Sequence, residues 1–498
     1  MNTNYKFSLD KIRLAYTTQQ NSDTDAKYIV LYRAIKNTIT SHELPANWLL
    51  PSTRVLSKAL NISRTTVNKS YELLQLEKLI SSKIGSGFRV SYNLSSEFTP
   101  RKRKHTSPSK KNYPNISEKG IAFTENITLV NKISSTNLAF RPGVPPIDVF
   151  PVNRWKNLLN NYWRHIKSSN LSYSSATGLE ELKKSIADYL NISRNIRCDF
   201  EQIVVVSGSL QSLYLIATTL IDKGDEVILE NPIFPNVHSV FKSSQAKLIP
   251  LSIDDEGIKL SQLDRQKSKP KIIHVTPSNH YPLGVKMSVN RRQELLNWAS
   301  EHNTIIIEND YEHEIANHDQ AIPSIYSLDQ EDRTIYMGTF NRLLHPSIRL
   351  GYMIVPRYLI KTVQALQEHS HRFVSPSIQV VMNQFIEKNY LYQHIKTCID
   401  MANERYELFC REFEKISKKM TIEKKHCSSF HLVATFNEPD SIQLEKTVLA
   451  ELESKNITAH ALSKCYIDAP KTYGLIFGYA AVRPSVLKKK IQTMKGIL

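Results

Sequence analysis

At 498 residues the chain is too long for one hydrophobic core, so two or three domains are expected. Hydrophobic residues at 41 % and charged residues at 22 % exclude a wholly disordered chain, and five scattered cysteines without a CxxC pair argue against a disulfide framework or a structural zinc site. The net charge of +18 is concentrated, because residues 1–111 hold 19 Lys and Arg against 7 Asp and Glu. A basic end on a more balanced body is the electrostatic footprint of a nucleic-acid-binding module; a solvated basic tail is the plainer alternative. The first residues lack an apolar secretion segment, and the longest uncharged stretch, 203–221, is broken by Ser207, Gly208, Ser209, Gln211 and Ser212. A cytoplasmic chain without a membrane span is therefore expected.

The first regular pattern is Ile29, Leu31, Tyr32, Ile35 and Ile39, which repeats at helical spacing. Pro51 and Ser52 then mark a helix start, with Val55, Leu56, Ala59 and Leu60 as its apolar face. After a short turn at Asn61 and Ile62, Ser63 is placed to cap a second helix carrying Val67, Tyr71 and Leu74. Two short helices joined by a tight turn predict a helix-turn-helix, the second being the recognition helix. The stretch 79–90 alternates around Gly85-Ser86-Gly87, which predicts a hairpin, or wing, whose glycines let the backbone approach a phosphate.

Reading a groove requires donors at the start of a recognition helix and phosphate contacts around it. Ser63, Arg64, Thr65, Thr66, Asn68 and Lys69 supply that set, and Arg54 on the preceding helix can reach the backbone. Residues 93–135, including the run Pro-Arg-Lys-Arg-Lys at 100–104, have no apolar periodicity. They read as a basic linker, either a plain tether or a source of further phosphate contacts.

Beyond this, β-branched runs at 203–206, 226–229, 271–275, 304–307 and 334–336 alternate with helical stretches such as 209–221 and 290–301. That alternation predicts an α/β domain with a mainly parallel sheet covered on both faces. The last hundred-odd residues are more helical and suggest a smaller α+β subdomain. Distinctive loops fall just past strand carboxyl ends, where ligands of open α/β sheets bind. They are Ser207-Gly208-Ser209, Pro232-Ile233-Phe234, 276–284, Glu308-Asn309-Asp310-Tyr311 and 338–352. Taken singly, each is explained as a turn.

In order and spacing, residues 27–92 resemble the GntR family of winged helix-turn-helix regulators. The ordered loops of the second half, with Phe140-Arg141-Pro142-Gly143 and Tyr173 to Gly178, resemble fold-type I aminotransferases. Together the halves are similar to the MocR-like subfamily of GntR regulators. The resemblance implies a homodimer, head to tail, bound to double-stranded DNA through Arg54, Arg64, Thr66 and the wing at 85–87. It also implies a pyridoxal 5′-phosphate site drawn from Ser209, Phe234, Asn309, Tyr311, Thr339, Arg342 and Arg349.

Several of these positions depart from the family. Arg342 stands where the family places its Schiff-base lysine, and a guanidinium stays protonated and is a poor nucleophile. Asn309 stands where the family places the carboxylate for the pyridine nitrogen. Asp310 beside it should point to the opposite side of an extended segment. The arginine for a substrate carboxylate is reduced to one C-terminal candidate, Arg483.

The expected organisation is a DNA-binding domain over 1–92, a linker over 93–135 and an aminotransferase-like domain over 136–498, with its subdomain from about 375. The expected function is transcription regulation with a dimerisation and effector domain that has lost transaminase chemistry, no catalytic residue, no metal, doubtful covalent cofactor binding and a small anionic effector. Two rivals stay open: a pyridoxal-phosphate aminotransferase with an accessory DNA-binding domain, and a purely architectural DNA-binding dimer.

Overall fold

The computed structural model describes residues 3–20, 25–83, 87–91, 115–126, 139–263, 269–316, 322–424, 429–437 and 442–498. The chain divides into two compact units, residues 1–113 and 114–498.

The first unit contains α1 (Thr3–Gln20), α2 (Lys27–Thr40), α3 (Thr53–Leu60) and α4 (Arg64–Leu76). Strands β1 (Ile80–Lys83) and β2 (Gly87–Val90) follow and pair antiparallel, Ile80 opposite Val90 and Lys83 opposite Gly87. The predicted caps form, Val55 N donating to Ser52 Oγ (3.3 Å) and Thr66 N to Ser63 Oγ (3.1 Å). Asn61 takes up the left-handed conformation (φ 51°) that turns α3 into α4. Val30, Ile35, Leu56, Val67, Tyr71 and Leu74 make one buried core. Tyr71 fixes the wing, its ring 4.8 Å edge-on from Phe88 and its hydroxyl donating to Pro51 O (2.7 Å). Helix α1, which the sequence reading did not anticipate, adds Ile12 and Tyr16 to the same core.

The second unit starts inside the stretch read as linker. Helix α5 (Glu118–Glu125) lies there, tied down by Phe123 beside Tyr214 (6.2 Å) and by Ser239 Oγ donating to Asn126 O (3.2 Å). Next come α6 (Val152–His165), α7 (Glu180–Arg194), β3 (Ile203–Val206), α8 (Ser209–Leu220), β4 (Glu226–Asn231) and α9 (Pro235–Ser243). Strands β5 (Lys247–Asp254), β6 (Gly257–Ile258), β7 (Ile272–Val275), β8 (Ile305–Asn309), β9 (Thr334–Thr339) and β10 (Gly351–Ile354) complete a sheet ordered β3-β10-β9-β8-β7-β4-β5-β6. Strands β9, β8, β7, β4 and β5 run parallel, while β10 is antiparallel to both its neighbours. Side chains alternate across the pleat, so Val205 packs with Leu182, Ile186 and Tyr352 while Val204 and Val206 pack with Leu213, Ile216 and Leu229. Burial of both faces explains the uninterrupted β-branched runs.

The smaller subdomain has strands β11 (Met420–Ile422), β12 (His431–Phe436), β13 (His460–Ala461) and β14 (Gly474–Gly478), in the antiparallel order β11-β12-β14-β13. Its start at about 375 needs correction. Helix Pro376–Glu387 packs Val381, Met382 and Phe385 into the large sheet's core, and the subdomain's own core takes over only from Cys398. Phe140 joins that second core, because Gly478 N donates to Phe140 O (2.7 Å) and draws the segment around 140 across.

Candidate nucleic-acid interface and effector pocket

On the first unit, α3 presents Arg54 and the start of α4 presents Ser63, Arg64, Thr65, Asn68 and Lys69 to solvent, with Thr66 half-buried. Not all of these groups are equally free. Ser63 Oγ lies 2.7 Å from both Thr65 Oγ1 and Thr66 Oγ1, so the three hydroxyls serve the cap as well as any ligand. Arg64 Nε donates to Thr53 Oγ1 (3.3 Å), which ties the recognition helix to α3, and Lys69 Nζ lies 5.5 Å from the Tyr28 ring. Gly87 opens β2 with φ 78°. Gly85 and Ser86 lie outside the described residues.

On the second unit, the loops after the strand carboxyl ends build a pocket from two sides. At its α8 end, Gly208 (φ 133°) leads into Ser209, the first residue of α8, whose free N–H groups and helix dipole favour an anion. A Cβ on Gly208 would stand 2.5 Å from Asn341 Nδ2, so only glycine fits this close approach. Asn341 organises the next loop. Its backbone N donates to Thr339 Oγ1 (3.3 Å), and its side-chain Oδ1 accepts from Leu350 N (2.9 Å). Arg349, exposed and at φ 53°, reaches Ser207 Oγ with Nη2 (3.4 Å). Ser209, Thr339 and Arg349 thus belong to one neighbourhood.

At the other end, Phe234, Tyr281 and Tyr311 form an aromatic wall, with Tyr281 4.9 Å from Phe234 and 6.1 Å from Tyr311. The Arg342 guanidinium lies against it, 4.9 Å from the Tyr311 ring and 5.9 Å from Phe234, and Nη1 donates to Gly143 O. Gly143 is at φ 73°, and a Cβ there would come within 1.5 Å of Arg342 Nη1. Gly143→Ala is therefore expected to cost about 2 kcal/mol of stability by chemical denaturation, from the left-handed backbone and the displaced arginine together. In an Arg342→Ala background only the backbone part should remain, a non-additivity that a double-mutant cycle reads directly.

Asn309 ends β8 with Nδ2 3.5 Å from His274 Nε2, and burial holds His274 neutral, down to about 3. Asp310 is committed elsewhere, accepting from Arg194 Nε (2.7 Å) and the Tyr336 hydroxyl (2.6 Å). Burial alone would raise the Asp310 carboxyl; Arg194 and the donors around it outweigh that and hold it low. Arg483 sits at the start of the last helix with Nε 3.5 Å from Asp148 Oδ2, where buried Arg405 already makes a two-pronged pair. Sequence reasoning missed Tyr281 of the loop after β7 and the subdomain's His460, and it missed the pairing of Glu312, after β8, with His431 of β12. Ser429 Oγ bridges them, donating to Glu312 Oε2 (2.7 Å) and lying 2.7 Å from His431 Nδ1. Among the described residues no helix is long and apolar enough to cross a membrane, and no group of His, Cys, Asp and Glu could hold a metal ion.

The architecture has counterparts among known proteins. The profile of the bacterial regulatory proteins of the gntR family matches residues 27–90, and that of aminotransferase class I and II matches residues 143–463. The probable rhizopine catabolism regulatory protein MocR of Rhizobium meliloti is 30% identical over 94% of this chain and 92% of its own length. The pyridoxine biosynthesis transcriptional regulator PdxR of Corynebacterium glutamicum is 24% identical over 87% of each chain. Among solved structures, the multiple substrate aminotransferase of Thermococcus profundus superposes with a TM-score of 0.67 at 21% identity, over 77% of this chain and 96% of that one. With a DNA-reading unit, an aminotransferase fold and a full-length regulatory relative together on one chain, this protein is a transcription regulator of the MocR type in the GntR family, carrying an aminotransferase class I and II domain.

Proposed function

We propose that the protein is a cytoplasmic homodimer that binds double-stranded DNA through α3, α4 and the wing, and whose large domain senses a small anion without transaminating. The carrying observation is the Arg342 clamp between Gly143 O and the aromatic wall. Pyridoxal phosphate, when bound in this fold, supplies an aldehyde that condenses with amines. Anchoring that aldehyde needs a neutral amine, and the guanidinium at the family's lysine position stays protonated. With Asn309 in place of the ring-nitrogen carboxylate, the residues present do not fit an imine-linked cofactor. Ser209, Thr339 and Arg349 do fit the phosphate of a molecule held without a covalent bond, the cofactor included. Dimerisation is supported by Val152, Trp163, Leu171 and Tyr173, large apolar side chains of α6 and the loop after it that are 55–78% exposed. MocR and PdxR are named for rhizopine catabolism and pyridoxine biosynthesis, which supports a metabolite as the signal.

Titration of the purified protein with pyridoxal phosphate tests this reading. No borohydride-trapped adduct is expected from the native chain, whereas Arg342→Lys combined with Asn309→Asp should gain a visible band and a covalent adduct. An adduct on the native chain would overturn the proposal. An effector can act only by binding one arrangement of the dimer better than another, so its signature is a change in DNA affinity.

A further inference from the structure

Helix α4 shows solvent a short set of polar side chains. Val67, Ser70, Tyr71 and Leu74 turn into the core, which leaves Arg64, Thr65, Asn68, Lys69 and Glu72 exposed on the outer face. Within that set, Arg64, Asn68 and Glu72 recur every four residues and so form one row along the helix.

Most of these groups are engaged within the domain. The hydroxyls of Thr65 and Thr66 each lie 2.7 Å from Ser63 Oγ and serve the cap first. Lys69 Nζ lies 5.5 Å from the Tyr28 ring, which draws its charge towards α2 and away from the row. Arg64 Nε donates to Thr53 Oγ1 (3.3 Å), so the tether leaves the two terminal nitrogens to meet a ligand. Asn68 differs from all of them. Its exposed carboxamide has no partner among the described residues.

Glu72 limits the row from below. A carboxylate is repelled by the phosphate backbone, so close approach belongs to the turns of α4 that precede it. Those are the turns with which a recognition helix touches base edges. The row therefore presents two side chains to a groove, a tethered guanidinium and, one turn on, an uncommitted amide.

We propose that Asn68 is a specificity-determining residue that reads adenine, one or two base pairs from a guanine held by Arg64. The assignment rests on the DNA-binding reading above and adds which bases the protein selects. A carboxamide carries a donor and an acceptor side by side, which match the N6 donor and N7 acceptor of adenine in the major groove. The terminal nitrogens of Arg64 are both donors and match the paired acceptors N7 and O6 of guanine. Side chains four apart on a helix stand about 5–6 Å from one another, while base pairs rise by about 3.4 Å, and that ratio sets the spacing of the two bases.

Selection of duplexes from a random library by the full-length protein, followed by titration of the selected duplex and its single-base-pair variants, tests this. The native protein should prefer adenine at one position by about tenfold or more. Asn68→Ala should lose that preference, keep the one for guanine, and melt no lower than the native chain, because alanine is a better helix former than asparagine. Asn68→Asp, which can only accept, should move the preference at the same position towards cytosine, whose N4 donates. An adenine analogue lacking N7 should weaken binding of the native protein by about fivefold and leave that of Asn68→Ala unchanged. An unaltered base preference in Asn68→Ala overturns the assignment. So does an equal loss on every duplex, the mark of a phosphate contact. The two readings fail separately: a native protein that binds no duplex refutes DNA reading itself, whereas a selected motif indifferent to Asn68 refutes only the adenine contact.

Discussion

Replacing Arg194 with methionine is expected to destabilise the large domain by about 3–5 kcal/mol, the largest single effect anticipated outside the hydrophobic core. Arg194 is buried at the end of α7 and is spent completely. Its Nε meets Asp310 (2.7 Å), Nη1 donates to Ile322 O (2.7 Å) and Nη2 to Ser278 Oγ (3.1 Å). Removing it strands the buried Asp310 carboxylate without its main cation, with Glu308 buried close by and its own carboxyl pushed up by burial. Because the folded-state pKa of Asp310 lies below its unfolded value, this contribution is present at neutral pH and is lost as the pH falls through the folded value. Urea melts at about pH 7 and about pH 3 should therefore show the variant's deficit shrinking in acid. A deficit under 1 kcal/mol at neutral pH would mean that Asp310 protonates at little cost, and that the pair does not hold the β8 loop.

The second large effect is on DNA. Arg64→Ala should lower affinity for a duplex selected by the native protein by about 1–3 kcal/mol if Arg64 reaches a base edge, with the loss concentrated at one position of the half-site. Lys69→Ala should instead weaken all duplexes alike and reduce the salt slope by about one unit, the mark of a phosphate contact. Ser63→Ala separates folding from recognition. Ser63 is the cap of α4, so its loss should cost about 1 kcal/mol of stability, visible without any DNA. Equal, sequence-independent losses for Arg64→Ala and Lys69→Ala would show that α4 rests on the backbone and is not inserted in the groove.

Much of this was legible because the signals are local. A cap, an apolar stripe and a tight turn sit within a dozen residues around Ser63, and the β-branched runs of the sheet need only their neighbours to be read. Strand β5 was obscured by Pro250, which cannot donate to a ladder. It is tolerated because β5 pairs with β6 only through Ile253 and Asp254, leaving Pro250 at an edge. Helix α1 was missed because Ile12 and Tyr16 make too narrow an apolar stripe to stand out from polar surroundings. Strand β10 was read as part of the loop around Arg349, since nothing in four residues announces that they will run against the sheet. The pocket was legible at its α8 end, where glycine, serine and arginine sit at recognisable offsets from strands. Its other end was not. Gly143, Tyr281 and Arg342 come from three distant segments, and only the packing of Phe140 into the subdomain core brings the first to the third.

The antiparallel β10 also carries a consequence for biogenesis. Val206 of β3 waits for Gly351 before it has a partner on that edge, and until then a fully apolar strand stays unzipped. The core of the winged unit is drawn from residues between Ile12 and Val90, so it can complete itself on the ribosome long before the sheet can close. For much of its synthesis the nascent chain is therefore a finished DNA-reading head followed by an open sheet edge, the state in which chaperone capture and premature self-association compete most directly.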